Sequence, residues 1–230
     1  MGNQINLQQF LEKKRDFSPF LVHLTKDDTN IYDDSDIPFM SAEQVLEKIL
    51  TEKTLKAMNH YCLFSPSLKQ KANDRPFILD KFKVVCFTET PIGQIDILLQ
   101  EVAERDFKPK PYGLVFTKEY IRNRGGNPVF YVTKEIGKPL WKLYWPLLET
   151  EVKDEICKVL ALVTVCEKGN DWHWEREWRF VGNLSFSLFD VYCGLCPEDS
   201  VPYFEDKYPP VKFIDPTWGQ NKILNKVVGR

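Results

Sequence analysis

The alternation of apolar and polar positions divides the chain mainly into short strands, with fewer stretches of helical period. Residues 20–25, Phe20-Leu21-Val22-His23-Leu24-Thr25, predict a strand with His23 and Thr25 on one face and Leu24 on the other. Residues 83–90 predict a second strand, stopped by Pro91. Residues 112–117, 128–133, 159–166 and 184–191 read as further strands, and Gly125-Gly126-Asn127 as a turn before the second of these. A helical period runs over 41–53 behind a Ser41 cap, over 91–105, and over 119–124 behind Thr117. Residues 139–160 read as helical segments broken at Pro146. A short polar helix is expected over 4–15 and a last small helix after Gly219. The polar stretches 26–38 and 58–80 read as loops, and 108–111, with two prolines, as an extended linker. Strands outnumber helices without strict alternation, so the class expected is α+β. No composition shift marks a boundary, and 1–230 is expected to form a single domain.

One stretch departs from the pattern of a strand built only to pack. Residues 172–182 read Trp172-His173-Trp174-Glu175-Arg176-Glu177-Trp178-Arg179-Phe180-Val181-Gly182. As a strand it would carry His173, Glu175, Glu177 and Arg179 on one face and Trp172, Trp174, Arg176, Trp178 and Phe180 on the other. Same-face neighbours would lie about 6.6 Å apart, twice the strand rise. Two carboxylates and a guanidinium would then share one space, which is how a site is built. The plainer reading of Glu177 is a salt bridge to Arg179 or Arg176.

Composition narrows the class. The formal net charge is −2 and the charged fraction 28%, so no overall field calls for nucleic acid or an anionic membrane. Aromatic residues make up 13% of the chain, enough for a stacking surface as well as a core. Residues 1–15 lack the apolar core of a secretory signal, and no apolar run approaches the length of a membrane span. A cytoplasmic protein without membrane partners is therefore expected, its six cysteines reduced. Cys193-Gly194-Leu195-Cys196 has the spacing of half a zinc site, but a second close pair is missing, so no metal is expected. Neither a Walker-type phosphate loop nor a dinucleotide-binding glycine fingerprint occurs.

Several pieces taken together are familiar. They are His23-Leu24-Thr25, Ile49-Leu50 before Leu55-Lys56-Ala57, and Val85-Cys86-Phe87-Thr88-Glu89-Thr90-Pro91. Tyr112-Gly113-Leu114-Val115-Phe116, Gly126-Asn127-Pro128-Val129-Phe130-Tyr131 and Glu177-Trp178-Arg179 follow in order. The series resembles the AbiGi-like abortive-infection family of bacterial phage-defence proteins over roughly residues 20–182, and through it the DarT-type ADP-ribosyltransferases. The resemblance implies a split mixed or antiparallel β-sheet core with flanking helices, ADP-ribosyltransferase-like, with residues 183–230 as an extension packed on the same core. It also implies NAD as substrate.

On that resemblance His23 and Thr25 match the pair that holds the adenosine-side ribose of NAD, and Glu177 matches the catalytic glutamate. Thr88 stands where such enzymes place a serine or threonine. Glu175, by its spacing from Glu177, matches the carboxylate that aids the acceptor in arginine-modifying members. Phe87, Tyr112 and Tyr120 are the candidates for an aromatic sandwiching the nicotinamide, and Arg122 or Arg124 for a contact to the diphosphate. The acceptor macromolecule, nucleic acid or protein, stays open. The alternative is a non-catalytic antitoxin or regulatory protein on the same fold, acting on a partner from a neighbouring gene.

Overall fold

Ser18 and Pro19 set the start of the first strand, the Ser18 hydroxyl accepting from the Phe20 N–H at 3.1 Å. The computed structural model describes residues 18–28, 39–58, 62, 77–102, 108–150, 154–166 and 173–228. The helix expected over 4–15, the loop through 29–38, most of 58–80, the turn at 168–171 and Trp172 lie outside the described residues. In chain order the first elements are β1 (Phe20–Lys26), α1 (Ala42–Glu52), β2 (Thr54–Leu55), α2 (Phe77–Asp80), β3 (Val84–Thr88) and α3 (Ile95–Glu101). Then come β4 (Pro109–Thr117), α4 (Lys118–Asn123), β5 (Asn127–Pro128), β6 (Phe130–Thr133), α5 (Lys134–Thr150), α6 (Asp154–Leu160) and β7 (Val163–Cys166). The last are β8 (Glu177–Val181), β9 (Leu184–Ser185), β10 (Val191–Leu195), α7 (Val201–Lys207), β11 (Phe213–Ile214) and α8 (Gln220–Val228). The protein is α+β, as its pattern predicts.

The chain forms two compact units, the first drawn from 1–51, 89–119 and 187–230, the second from 52–88 and 120–186. In the first unit four strands lie in the order β11-β10-β4-β1. β4 runs antiparallel to β1, with Phe20 opposite Thr117 and His23 opposite Leu114. β10 is antiparallel to β4 and parallel to β11. Val22, Val115, Cys193, Leu195 and Ile214 supply the strand side of its core, and Ile95, Ile223 and Val227 the helix side. Two glycines permit close approaches here. A Cβ at Gly113 would come within 2.3 Å of the His23 carbonyl oxygen, and one at Gly194 within 2.1 Å of the Phe213 ring. Ser41 caps α1 as expected: its hydroxyl accepts from Gln44 N–H at 3.3 Å, and the Gln44 side chain accepts from Ser41 N–H at 2.9 Å.

In the second unit β3, β8 and β5 lie side by side, both pairings antiparallel. β6 and β7 form a separate parallel pair, and β2 pairs with β9. Phe82, Ile78, Val84, Cys157 and Leu160 form its core, with Trp141, Tyr144 and Trp145 of α5 packed against it.

Several boundaries differ from the sequence expectation, each for a physical reason. Residues 108–111 are largely strand, because Pro109 pairs with Lys26 and so extends β4. α5 is not broken at Pro146: it runs through both Pro139 and Pro146. Trp141 and Trp145, one turn apart, stack at 5.4 Å, so packing of one face holds the helix where proline weakens it. The strand expected over 128–133 is two strands. Val129 N–H bonds Glu177 O while Phe130 N–H bonds Leu162 O, so the chain changes partner between them. The strand expected at 159–166 begins only at Val163, after α6. The one expected at 184–191 is split by a 3-10 turn at Leu188–Asp190 that Ser187 caps. Among the described residues no helix is long and apolar enough to cross a membrane.

Candidate functional site

The β3–β8 ladder sets Cys86 opposite Arg179 and Thr88 opposite Glu177. Directly opposed residues share a face, so Val84, Cys86 and Thr88 stand with Val181, Arg179 and Glu177 on one side of the ladder. The Val84 end of that face is closed by Cys157, Leu160 and Ala161. Arg179, only 3% exposed, sends Nη1 to the Ala161 carbonyl at 2.9 Å, just past the C-terminus of α6, where the helix dipole favours a cation. Its Nε and Nη2 donate to Oε1 and Oε2 of Glu177, each at 2.9 Å. Burial works against the charge on Arg179, but the Glu177 carboxylate outweighs it and holds the guanidinium above its ordinary pKa. The Glu177 side chain keeps 18% of its surface exposed, so the carboxylate stands at the open end of an otherwise covered face.

The stretch 172–182 does not form one strand. His173–Glu175 is a 3-10 turn, Arg176 takes φ +45°, and β8 starts only at Glu177. The left-handed Arg176 breaks the alternation, so Glu175 does not stand one pleat from Glu177 as the strand reading requires. Thr88 fixes the turn, its hydroxyl donating to the Glu175 carbonyl at 2.7 Å.

The polar row gathers instead around a residue that sequence reasoning passed over. Tyr131 Oη accepts from the Glu177 N–H at 3.3 Å, and its ring lies 4.7 Å from the His173 imidazole. Burial first, then the Glu177 carboxylate, push the Tyr131 phenol above its ordinary value, and Glu175 adds a smaller push in the same direction. The phenol is therefore a firmly held proton donor. The available signal was the alternation in residues 130–133, which puts Tyr131 on the face opposite Phe130 and Val132.

Of the residues singled out from sequence, Thr88, Glu175 and Glu177 come together. Arg122 does not join them. It lies 5.8 Å over the ring of Trp178, which leaves β8 on the opposite face from Glu177. Arg124 lies over Tyr120 at 5.2 Å. Phe87, 2% exposed and opposite Trp178 in register, is a core residue on that other face. His23, Thr25 and Tyr112 belong to the first unit. His23 is half-buried on β1. Thr25 is 3% exposed, and its hydroxyl donates to Ala42 O at 2.9 Å and lies 3.3 Å from Tyr112 O, ties that serve the fold. The Tyr112 ring stands 6.3 Å from Phe204, and burial raises its phenol pKa.

Cys193 and Cys196 are both buried, and burial pushes the Cys196 thiol up to about 12. Among the described residues no group of three His, Cys, Asp or Glu side chains is arranged to hold a metal ion.

What remains is one carboxylate in a fixed pose. Two guanidinium donors occupy one lone pair on each oxygen, and a carboxylate has about four such sites, so each oxygen keeps a second. Such a group accepts a hydroxyl or amide proton, or stabilises a nearby cation, without reorganising. No protein-family model, curated protein or solved structure matches this chain.

Proposed function

We propose that the protein is an ADP-ribosyltransferase-like effector of bacterial phage defence that takes NAD as substrate, with Glu177 as its catalytic carboxylate. The observation that carries this reading is the pose of Glu177, fixed by a buried arginine at the open end of the β3–β8 face, with Thr88 directly across. Order and spacing of the sequence motifs that resemble DarT-type enzymes support it. Departure of nicotinamide leaves positive charge on the ribose, and a carboxylate hydrogen-bonded to a ribose hydroxyl stabilises that charge. Arg179 holds the Glu177 carboxylate in one pose through two hydrogen bonds, so the group needs no rearrangement as the charge develops. Glu175 would serve the acceptor by taking its proton. Incubation with NAD labelled in the adenylate part, together with cell extract, tests the proposal. Label transfer that Glu177→Gln abolishes is expected; no transfer and no nicotinamide release from the wild-type protein overturns it.

A second reading is favoured by the same ion pair. Both oxygens of Glu177 already accept from Arg179, and a pair of this kind also serves purely to fix a strand. On that reading the protein is a non-catalytic antitoxin or regulator. It would be harmless when expressed alone, and would co-purify with, and suppress the toxicity of, the product of a neighbouring gene.

A further inference from the structure

Tyr131 has one hydrogen-bond partner among the described residues, the Glu177 N–H, which its oxygen accepts. The phenolic proton is left to donate elsewhere. The side chain is half-buried, and its ring is braced against His173. Beside it on the parallel strand β7, in direct register, is Thr164. The Thr164 hydroxyl oxygen is buried and has no partner among the described residues. Buried hydroxyls are nearly always paired, so one without a protein partner marks a place for a water or a ligand group. Two hydroxyls thus stand on one face of β6–β7, and that of Tyr131 adjoins Glu177, whose carboxylate has lone pairs to fill.

We infer that Tyr131 is a ligand-binding residue of the Glu177 site, its O–H donating to, and the Glu177 carboxylate accepting from, one neutral group of the ligand. A group that both accepts and donates is required, which means a sugar hydroxyl or a carboxamide. An anionic group is excluded, because Glu177 faces the same position. The inference rests on the NAD reading for the ligand class, and NAD carries both kinds of group. Burial and the neighbouring carboxylates keep the phenol protonated, so the donor persists across neutral and mildly alkaline pH.

Tyr131→Phe removes the hydroxyl and keeps the ring against His173. Calorimetric titration of the full chain with NAD, ADP-ribose and nicotinamide, wild type against Tyr131→Phe, is the test. Binding about tenfold weaker in the variant is expected, the range for one lost hydrogen bond. Weakening with ADP-ribose identifies a sugar hydroxyl, and weakening with nicotinamide the carboxamide. Equal affinity in both proteins overturns the role of Tyr131 and leaves the NAD reading standing. Tyr131-dependent binding without nicotinamide release upholds the role and removes the transferase reading. A wild-type protein that binds none of the three probes at millimolar concentration overturns both. Should the variant fail to fold, a crystal structure of the wild type with the bound probe decides. Tyr131 Oη within about 3.2 Å of a ligand oxygen or nitrogen supports the inference, and a ligand elsewhere overturns it.

Discussion

Arg179 grips both carboxylate oxygens of Glu177 from two positions along the same strand, through Nε and Nη2 at 2.9 Å each. Its third contact, to the Ala161 carbonyl, ties the pair to the end of α6. The guanidinium is almost fully buried, so its removal leaves a carboxylate and a carbonyl without their donors. Arg179→Leu should cost about 3–5 kcal/mol, the range for breaking a buried pair from one side. Arg179→Lys keeps the charge but loses the planar fork and should cost less. Urea unfolding of the three proteins measures both.

A second buried pair predicts a different pattern. Lys118 Nζ lies 2.8 Å from Glu89 Oε1 in the first unit, each side chain 9% exposed. Lys118→Met alone should destabilise by about 3–5 kcal/mol, whereas Glu89→Leu with Lys118→Met should recover most of that loss. A double-mutant cycle by chemical denaturation checks it.

Gly194 is required by the ring beside it. A Cβ there would meet Phe213 at 2.1 Å, and Phe213 is fixed by stacking on Phe204 at 4.9 Å. Gly194→Ala should therefore destabilise by about 1–3 kcal/mol or more, as overpacking does. The thermal midpoint should fall accordingly.

Buried thiols set an alkaline limit. Burial pushes Cys157 up from 9.0 to about 11 and Cys196 from 9.0 to about 12. Above about pH 9 the unfolded thiols lose their protons while the folded ones keep them. The unfolded state then binds fewer protons, and stability falls as pH rises, by about 1.4 kcal/mol per pH unit for each thiol. The contribution is intact below pH 9 and is lost by about pH 11 for Cys157 and about pH 12 for Cys196. Urea midpoints from pH 7 to 11 should show the decline, and Cys196→Ala should flatten it.

Thr164→Val separates binding from folding. The hydroxyl has no partner among the described residues, so its replacement by a methyl should leave stability unchanged or slightly raised. If the hydroxyl meets a ligand, affinity for ADP-ribose or nicotinamide should fall in the same variant.

Where strand pattern was strong, the fold was legible from sequence. β1, β3 and β4 follow from apolar runs bounded by proline or turn residues, and α1 from its Ser41–Gln44 cap. Legibility failed where tertiary packing outweighed local chemistry. Pro146 does not end α5 because Trp141, Tyr144 and Trp145, partly buried along it, pack against the core. The site was legible as a cluster and illegible as geometry. His173, Glu175 and Glu177 do gather, yet a left-handed Arg176, which no residue pattern announces, replaces the expected strand with a turn. Tyr131 was missed because its partner is a backbone N–H that lies 46 residues ahead. Arg122, a diphosphate candidate on the resemblance, lies over Trp178 on the other face of β8.

Release of nicotinamide from NAD by the purified full chain tests the role of Glu177 most directly, with Glu177→Gln as the comparison and the folding of both proteins checked by circular dichroism. Steady release by the wild type and a loss of at least about a hundredfold in the variant are expected, the scale of a removed electrostatic stabiliser. Release at equal rates by both proteins, or by neither, contradicts that role.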